Sequence, residues 1–493
     1  MAVALLWTCL HGGCDHAPPP VGVSAHTLTG SLSAGAPSDA ANTPPATLIV
    51  AESPEVDEPT PEVAVAPPTE PERVFRPDDA RPRHDDATAA ELGIHRYESP
   101  HLLLYTDIDP DIARTLPPLM DQAYSALESY FGPLPPDRAG RPFQMTGYIM
   151  SEEEPFRQAG MLSPQTDDLL VHGIYRGAEF WIRNQDYDYF IRHVVVHEGT
   201  HCYMTVLHGP RPPAWYMEGM AEYIGTHRFD ADGHARFGVM PDDPVHFVGF
   251  GRIEMLHEEI DAGRFRSADG VLALIGNDFV KSRREPYAWS WAFCTFLNAH
   301  PRYQSRFRSL SEHILDRDFS GQFRELFAPD FDVLSVEWEL FVRNLEFGFD
   351  ITRAAIDFRR GAPLSAGGSA DVSVRADAGW QATGVWLDAG VPHTLTAKGE
   401  TSLANKPRPW ISQSQGVSIR YIDGRPLGRL VAAIQSESPP GPNGEGALWQ
   451  TIDVGSTATL TPADSGTLYL RVNDAWSELA DNEGAYSVEI RQP

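Results

Sequence analysis

Two histidines stand four residues apart, His197 and His201, with Glu198 beside the first. On a helix that spacing projects both imidazoles from one face. Two neutral imidazoles so placed bind a divalent metal, and the neighbouring carboxylate is positioned to take a proton from a water on it. H-E-x-x-H is the spacing of zinc-dependent hydrolysis. Zinc used that way needs a third protein ligand and an open fourth position. Beyond a Pro-rich turn lies PAWYMEGMAEYIGTH, a second amphipathic helix that carries Glu218. If it folds back against the first, Glu218 completes a His-His-Glu set. Three fixed positions are a weak pattern in a chain with 18 histidines, so the second helix supplies the context. His193 extends the histidine row by one turn and reads as a neighbour of the site, because the fourth position belongs to water.

The elements that must hold these groups follow from periodicity. HLLLYTDID (101–109) reads as a strand ending in a turn, and LMDQAYSALESYF as an amphipathic helix. FQMTGYIM (143–150) and GAEFWIRN (177–184) are further strands, the last a candidate edge for pairing with a peptide. From there the pattern is helical to about residue 349, and the motif helix stops at Gly209-Pro210. Strands first and helices later predict an α+β domain, bounded at 89–362.

Composition bounds the partners. The chain has 493 residues, enough for two or three cores, and a net charge of -29 that repels phosphate backbones. Nucleic acid is therefore excluded as a partner, while hard cations are favoured at carboxylate clusters. Residues 1–14 hold an apolar run, AVALLWTCL, followed by HGGC, which resembles a bacterial lipoprotein leader. Export is the expectation, to the cell envelope or beyond it, with any membrane attachment through a lipid on Cys14. Residues 15–88 are rich in Pro, Ala and Glu, lack hydrophobic periodicity and are expected to form a disordered tether. Cys202 and Cys294 fall in apolar helical patterns; two buried thiols are expected, a bridge between them remaining open.

HEGTH followed by WYMEGMAEY resembles the gluzincin clan of zinc peptidases, and within it the peptidase-MA-like bacterial proteins. The resemblance spans roughly residues 93–350. It implies His197, His201 and Glu218 as zinc ligands and Glu198 as general base. It gives Glu222, one turn after Glu218, the task of orienting the first histidine, against the plainer reading of a solvated helix face. PYAWSWAFCTFLNAHP (286–301) looks like the helix that follows the glutamate ligand in that family. By that likeness Tyr287 donates a hydrogen bond to the developing oxyanion.

After GAPLSAGGSAD the chain changes to short alternating strands, GVWLDAG, HTLTAKG, GVSIRYID, ATLTP, GTLYLRVND and GAYSVEIRQP, which predict a β-sandwich over 369–493. VNDAWSELADNEGAYSVEI gathers Asp474, Glu478, Asp481 and Asn482 in one loop, a set of oxygen ligands that suits calcium. The segment resembles the PA-I-type galactose-binding lectins. The likeness implies calcium on the side chains of Asp474, Asp481 and Asn482, with Glu478 contributing and the carbonyl of Leu403 closing the shell. Gln415 stands where a sugar contact is implied, but Ser412 replaces the sugar-contacting histidine of that pattern.

The fold class expected is thus multidomain: an α+β gluzincin metallopeptidase domain and a C-terminal all-β, galactose-binding-like sandwich, behind a disordered tether. The expected function is an exported zinc metallopeptidase acting on peptides or proteins, with a calcium-binding, glycan-binding-like accessory domain. The alternative is an inactive surface lipoprotein that binds glycans.

Overall fold

The computed structural model describes residues 75–77, 81–167, 170, 172–207, 209, 211–282, 284–404, 408–436, 448 and 450–493. The leader with Cys9 and Cys14, and the tether as far as residue 74, lie outside these residues. The fold is mixed α/β with several sheets, helical in its first part and β-rich at the C-terminus. Among the described residues no helix is long and apolar enough to cross a membrane.

The folded part reaches further back than the expected boundary at residue 89. The Arg76 amide donates to the Pro136 carbonyl at 3.1 Å, and His84 meets the Tyr148 hydroxyl at 2.7 Å. A five-stranded sheet follows, made of β1 (His95–Glu98), β2 (Leu102–Thr106), β3 (Met145–Met150), β4 (Gly173–Arg176) and β5 (Glu179–Arg183). Its order is β1-β2-β3-β5-β4, with β2, β3 and β5 parallel and the two outer strands antiparallel. GAEFWIRN is therefore not the edge expected from sequence. Its Phe180, Trp181 and Ile182 are all buried, as in a strand paired on both sides, and the edge is β4, joined to it by a turn with Gly177 at φ 62. A small hairpin, His227–Phe229 with Ala235–Phe237, interrupts the stretch expected to be helical.

Helices cover the sheet and build the main core. α1 (Leu116–Phe131) and α2 (Asp188–Thr205) approach closely because residue 199 is glycine: a Cβ there would lie 2.6 Å from the Met120 sulfur. α3 (Ala214–Gly225) packs on α2, with α4 (Arg252–Asp261) and α5 (Glu285–Ala299) beyond it. Gly219 plays the same part between α3 and α5, where a Cβ would meet Cys294 Sγ at 2.5 Å. Cys202 and Cys294 are both buried free thiols.

The C-terminal part stacks two sheets. One runs 452–453, 430–436, 466–472, 381–387, 362–363, and the other 411–413, 400–402, 483–491, 393–398, 457–460, with 369–375 also on 483–491. Leu468, Leu470 and Val472 point between the sheets with Val385, Leu395 and Val488. The opposite face of that first sheet is not solvated. Tyr469, Val431, Ala433 and Trp380, with Trp476 and Leu479 from the loop, join the core of the helical part. Strand 466–472 is accordingly buried at every position. Residues 72–493 form one compact unit. A sandwich cut out at residue 369 would expose the aromatic face that this core covers.

Trp476 anchors that junction. It stacks on Phe349 at 5.5 Å and under the Arg471 guanidinium at 3.5 Å, and its carbonyl accepts from the Asp350 amide at 3.0 Å. Truncating a buried Trp costs about 3–5 kcal/mol. Trp476→Ala should lower the urea midpoint of the whole chain accordingly, without changing metal content at the site described next; an unchanged midpoint would show that the two parts do not stabilise each other.

Candidate metal centre

α2 and α3 bring the predicted ligand atoms to one point. His201 Nε2 lies 3.1 Å from His197 Nε2 and 3.1 Å from a carboxylate oxygen of Glu218, which is 3.5 Å from His197 Nε2. Zinc bonds of about 2.0–2.1 Å at tetrahedral angles separate ligand atoms by about 3.3 Å. The triangle therefore fits one such ion, and one of its members, His197, also lines the adjacent cavity. Burial works against the Glu218 charge, but His201 and His197 hold its carboxyl down at about 2.

Glu198 points into the same cavity from the face of α2 beside β4. Burial, reinforced by the charges of Glu218 and Glu222 and opposed by His201, pushes its carboxyl up to about 8. The backbone of β4 touches it: a Cβ on Gly173 would lie 2.2 Å from Glu198 Oε1. Only glycine lets the edge strand pass this close to the carboxylate. Two residues along the strand, on the same face, Tyr175 stacks on His201 with ring centres 4.6 Å apart. Neither Gly173 nor Tyr175 was singled out from sequence; the alternation in HGIYR, before a Gly turn, was the signal available.

Glu222 is buried behind the ligands. One of its oxygens lies 3.5 Å from His197 Nδ1, the far side of a ligand imidazole, and it meets His193 Nε2 at 3.2 Å. It is not a solvated face. Arg252, the first residue of α4, donates to both its oxygens at 3.0 and 2.7 Å. Burial opposes this charge, yet Arg252 and His193 hold the carboxyl well below its usual range. His193 thus faces Glu222 rather than the ligand triangle. No sequence signal marked Arg252.

Tyr287, at the start of α5, has its ring 6.2 Å from that of His197 and 5.9 Å from the Arg252 guanidinium. Burial and the nearby carboxylates Glu218, Glu198 and Glu222 raise its pKa, so it stays a protonated donor. Tyr287, Glu198 and His197 share a cavity of about 430 Å³ with Phe250, Met255 and Phe279.

The C-terminal acidic loop is only partly gathered. Asp474 and Asn482 come together, Asn482 Nδ2 donating to Asp474 at 2.9 Å, while Asn482 Oδ1 is buried without a partner. Burial pushes the Asp474 carboxyl up to about 6, against the hydrogen bonds from Asn482 and the Ala475 amide. Glu478 instead pairs with Arg420, and Asp481 is exposed. Leu403 is buried, its side chain against the Gly428 turn. Gln415 donates to the Gln413 side chain at 3.2 Å, and Ser412 is buried beneath. Glu478 lies close enough to both Asp474 and Asp481 for its charge to raise their carboxyls while it pairs with Arg420, and Leu403 follows Ser402, the register partner of Glu483.

Two substitutions test the centre. Removing one partner of a buried ion pair costs about 3–5 kcal/mol, and loss of the group behind a metal-ligating histidine weakens metal binding by about 10–100-fold. Arg252→Met should do both, read by denaturant titration and by zinc competition. Gly173→Ala should spare zinc affinity but displace Glu198, visible as lost electron density overlap in a crystal structure of the variant; an unmoved carboxylate would refute the contact.

No protein-family model matches this chain, and no curated protein does. Among solved structures it is similar to one described as "EclA N-terminal domain; PllA-like lectin", at 24% identity, covering 25% of this chain and 95% of that chain, with a TM-score of 0.19.

Proposed function

We propose that this chain is an exported zinc-dependent metallopeptidase. The observation that carries the reading is the His197, His201, Glu218 triangle, spaced for a tetrahedral ion beside a buried carboxylate, Glu198, at the mouth of a cavity that has an edge strand along its rim. Zinc bound there would supply Lewis acidity. Glu198 takes the proton of the attacking water and passes it to the leaving amine. Tyr287 donates its hydroxyl hydrogen to the oxygen on which charge develops. Glu222 holds the His197 ring, and Arg252 holds Glu222. β4 offers unpaired backbone groups to an extended peptide, an arrangement that recognises main chain first and side chains second.

The C-terminal sandwich belongs to the proposal as an accessory part that takes calcium near Asp474 and Asn482, the unpartnered Asn482 oxygen being the supporting observation. Glycan binding through it, and attachment through a lipid on Cys14, complete the reading.

Purified protein should hold about one zinc per chain, as one three-ligand site implies. Glu198→Gln should keep that zinc and lose peptide hydrolysis by a factor of about a hundred or more, since the base is gone and the ligands remain. Metal analysis with a peptide-library digest of both proteins decides it. Zinc retained in His197→Ala/His201→Ala, or hydrolysis undiminished in Glu198→Gln, would sink the assignment.

A further inference from the structure

A second cavity, of about 280 Å³, opens at the end of the sheet, where the β4–β5 turn meets the C-terminal end of α2. Its wall carries four arginines, Arg76, Arg81, Arg176 and Arg211, and one carboxylate, Glu179. The chain as a whole has 39 basic residues against 68 acidic ones, so this wall inverts the average surface. Such a local excess attracts anions, and low-dielectric walls focus it.

Most of these groups are already engaged. Arg76 donates to the Arg141 carbonyl at 2.6 Å with Asp137 4.0 Å away, Arg81 donates to Thr146 Oγ1 at 3.2 Å, and Glu179 accepts from the Tyr148 hydroxyl at 2.7 Å. Arg176 and Arg211 are not so committed. Arg211 makes a 3.5 Å contact to the Leu207 carbonyl, too long for a strong hydrogen bond. Arg176, exposed at the end of β4, has no carboxylate partner among the described residues. Two guanidiniums facing one cavity, with Glu179 across the turn from Arg176 already accepting from Tyr148, can clamp a carboxylate in the planar, forked manner that arginine favours.

The cavity adjoins the metal centre. Tyr175, which stacks on His201, precedes Arg176 directly, and Thr205 in the cavity wall donates to the His201 carbonyl at 2.7 Å. β4 is an edge strand, free on its outer side among the described residues. A strand rises about 3.3 Å per residue, so an extended ligand running from Gly173, beside Glu198, to Arg176 advances three residues, about 10 Å.

We propose that Arg176 and Arg211 form a subsite for an acidic side chain of an extended peptide, about three residues from the bond that faces Glu198. The peptide register rests on the metallopeptidase reading; the affinity for a carboxylate does not. The test uses the full chain loaded with zinc. A fluorescently labelled glutamate octapeptide should bind at low salt, and Arg176→Ala/Arg211→Ala should weaken it about tenfold, the scale of one or two charge-assisted hydrogen bonds. Arg176→Lys/Arg211→Lys keeps the charge but loses the fork, so its affinity should fall between wild type and the double alanine variant, and binding of a neutral octapeptide should not change. Both side chains are exposed, so the thermal midpoint should stay constant. In a peptide library, products should show Asp or Glu enriched at one fixed position, and the double alanine variant should lose that enrichment through KM, with kcat on neutral peptides unaltered. Equal affinity of wild type and double variant for the glutamate peptide, or hydrolysis with no arginine-dependent preference, overturns the subsite. Arginine-dependent binding without any Glu198-dependent hydrolysis sustains the subsite and sinks the peptidase reading instead.

Discussion

A carboxylate taken out of water must be met by opposite charge and hydrogen-bond donors, or the fold around it does not persist. Glu222 is that carboxylate here. It projects from α3 into the space between α2 and α4, where Arg252 takes both of its oxygens and the row of histidines on α2 takes the rest. The pairing fixes the rotation of α3 about its own axis. Glu218, one turn earlier on the same helix, is thereby aimed at the two imidazoles. The ligand triangle follows from a charge pair that none of its members makes. The two glycines flanking the ligands act in the same sense, since Gly199 and Gly219 admit Met120 and α5 to distances that any side chain would forbid.

A second constraint joins the two ends of the described chain. The sheet that contains strand 466–472 has no wet face: one side fills the sandwich and the other joins the helical core. The loop that leaves this strand therefore runs inward, with Trp476 and Leu479 under the helices, before the last strand begins. An accessory domain on a mobile linker would have kept that face polar. The sequence GTLYLRV alternates, with Leu468, Leu470 and Val472 on one face and Thr467, Tyr469 and Arg471 on the other, so the alternation alone does not show that the second face is also covered.

The legible parts of this molecule are those where one short segment carries the whole signal. His197, Glu198 and His201 sit on one helix, and Glu218 and Glu222 on the next, so helical spacing alone places them. Strand periodicity likewise located β2, β3 and most of the sandwich. The edge strand was misplaced because GAEFWIRN is the more hydrophobic of two neighbouring strands, and hydrophobicity marks the interior of a sheet rather than its rim. Arg252 was invisible: an arginine at the start of a helix is ordinarily solvated, and its partner lies 30 residues away in sequence. The acidic loop is a different case. Its residues are close in sequence, but sequence does not mark that Arg420 pairs with Glu478 or that Asn482 donates to Asp474.

That inward turn also bounds what the loop can recognise. A cation held between Asp474 and Asn482 reaches solvent only if some of its coordination directions point away from protein. Asp474 is fully buried, and the Trp476 and Leu479 side of the loop is covered by the helical core. Glu478 and Asp481 are solvent-accessible, and Glu478 pairs with Arg420. With Asp474 buried and Glu478 tied to Arg420, the charge balance of this loop depends on Arg420 as well as on its own carboxylates.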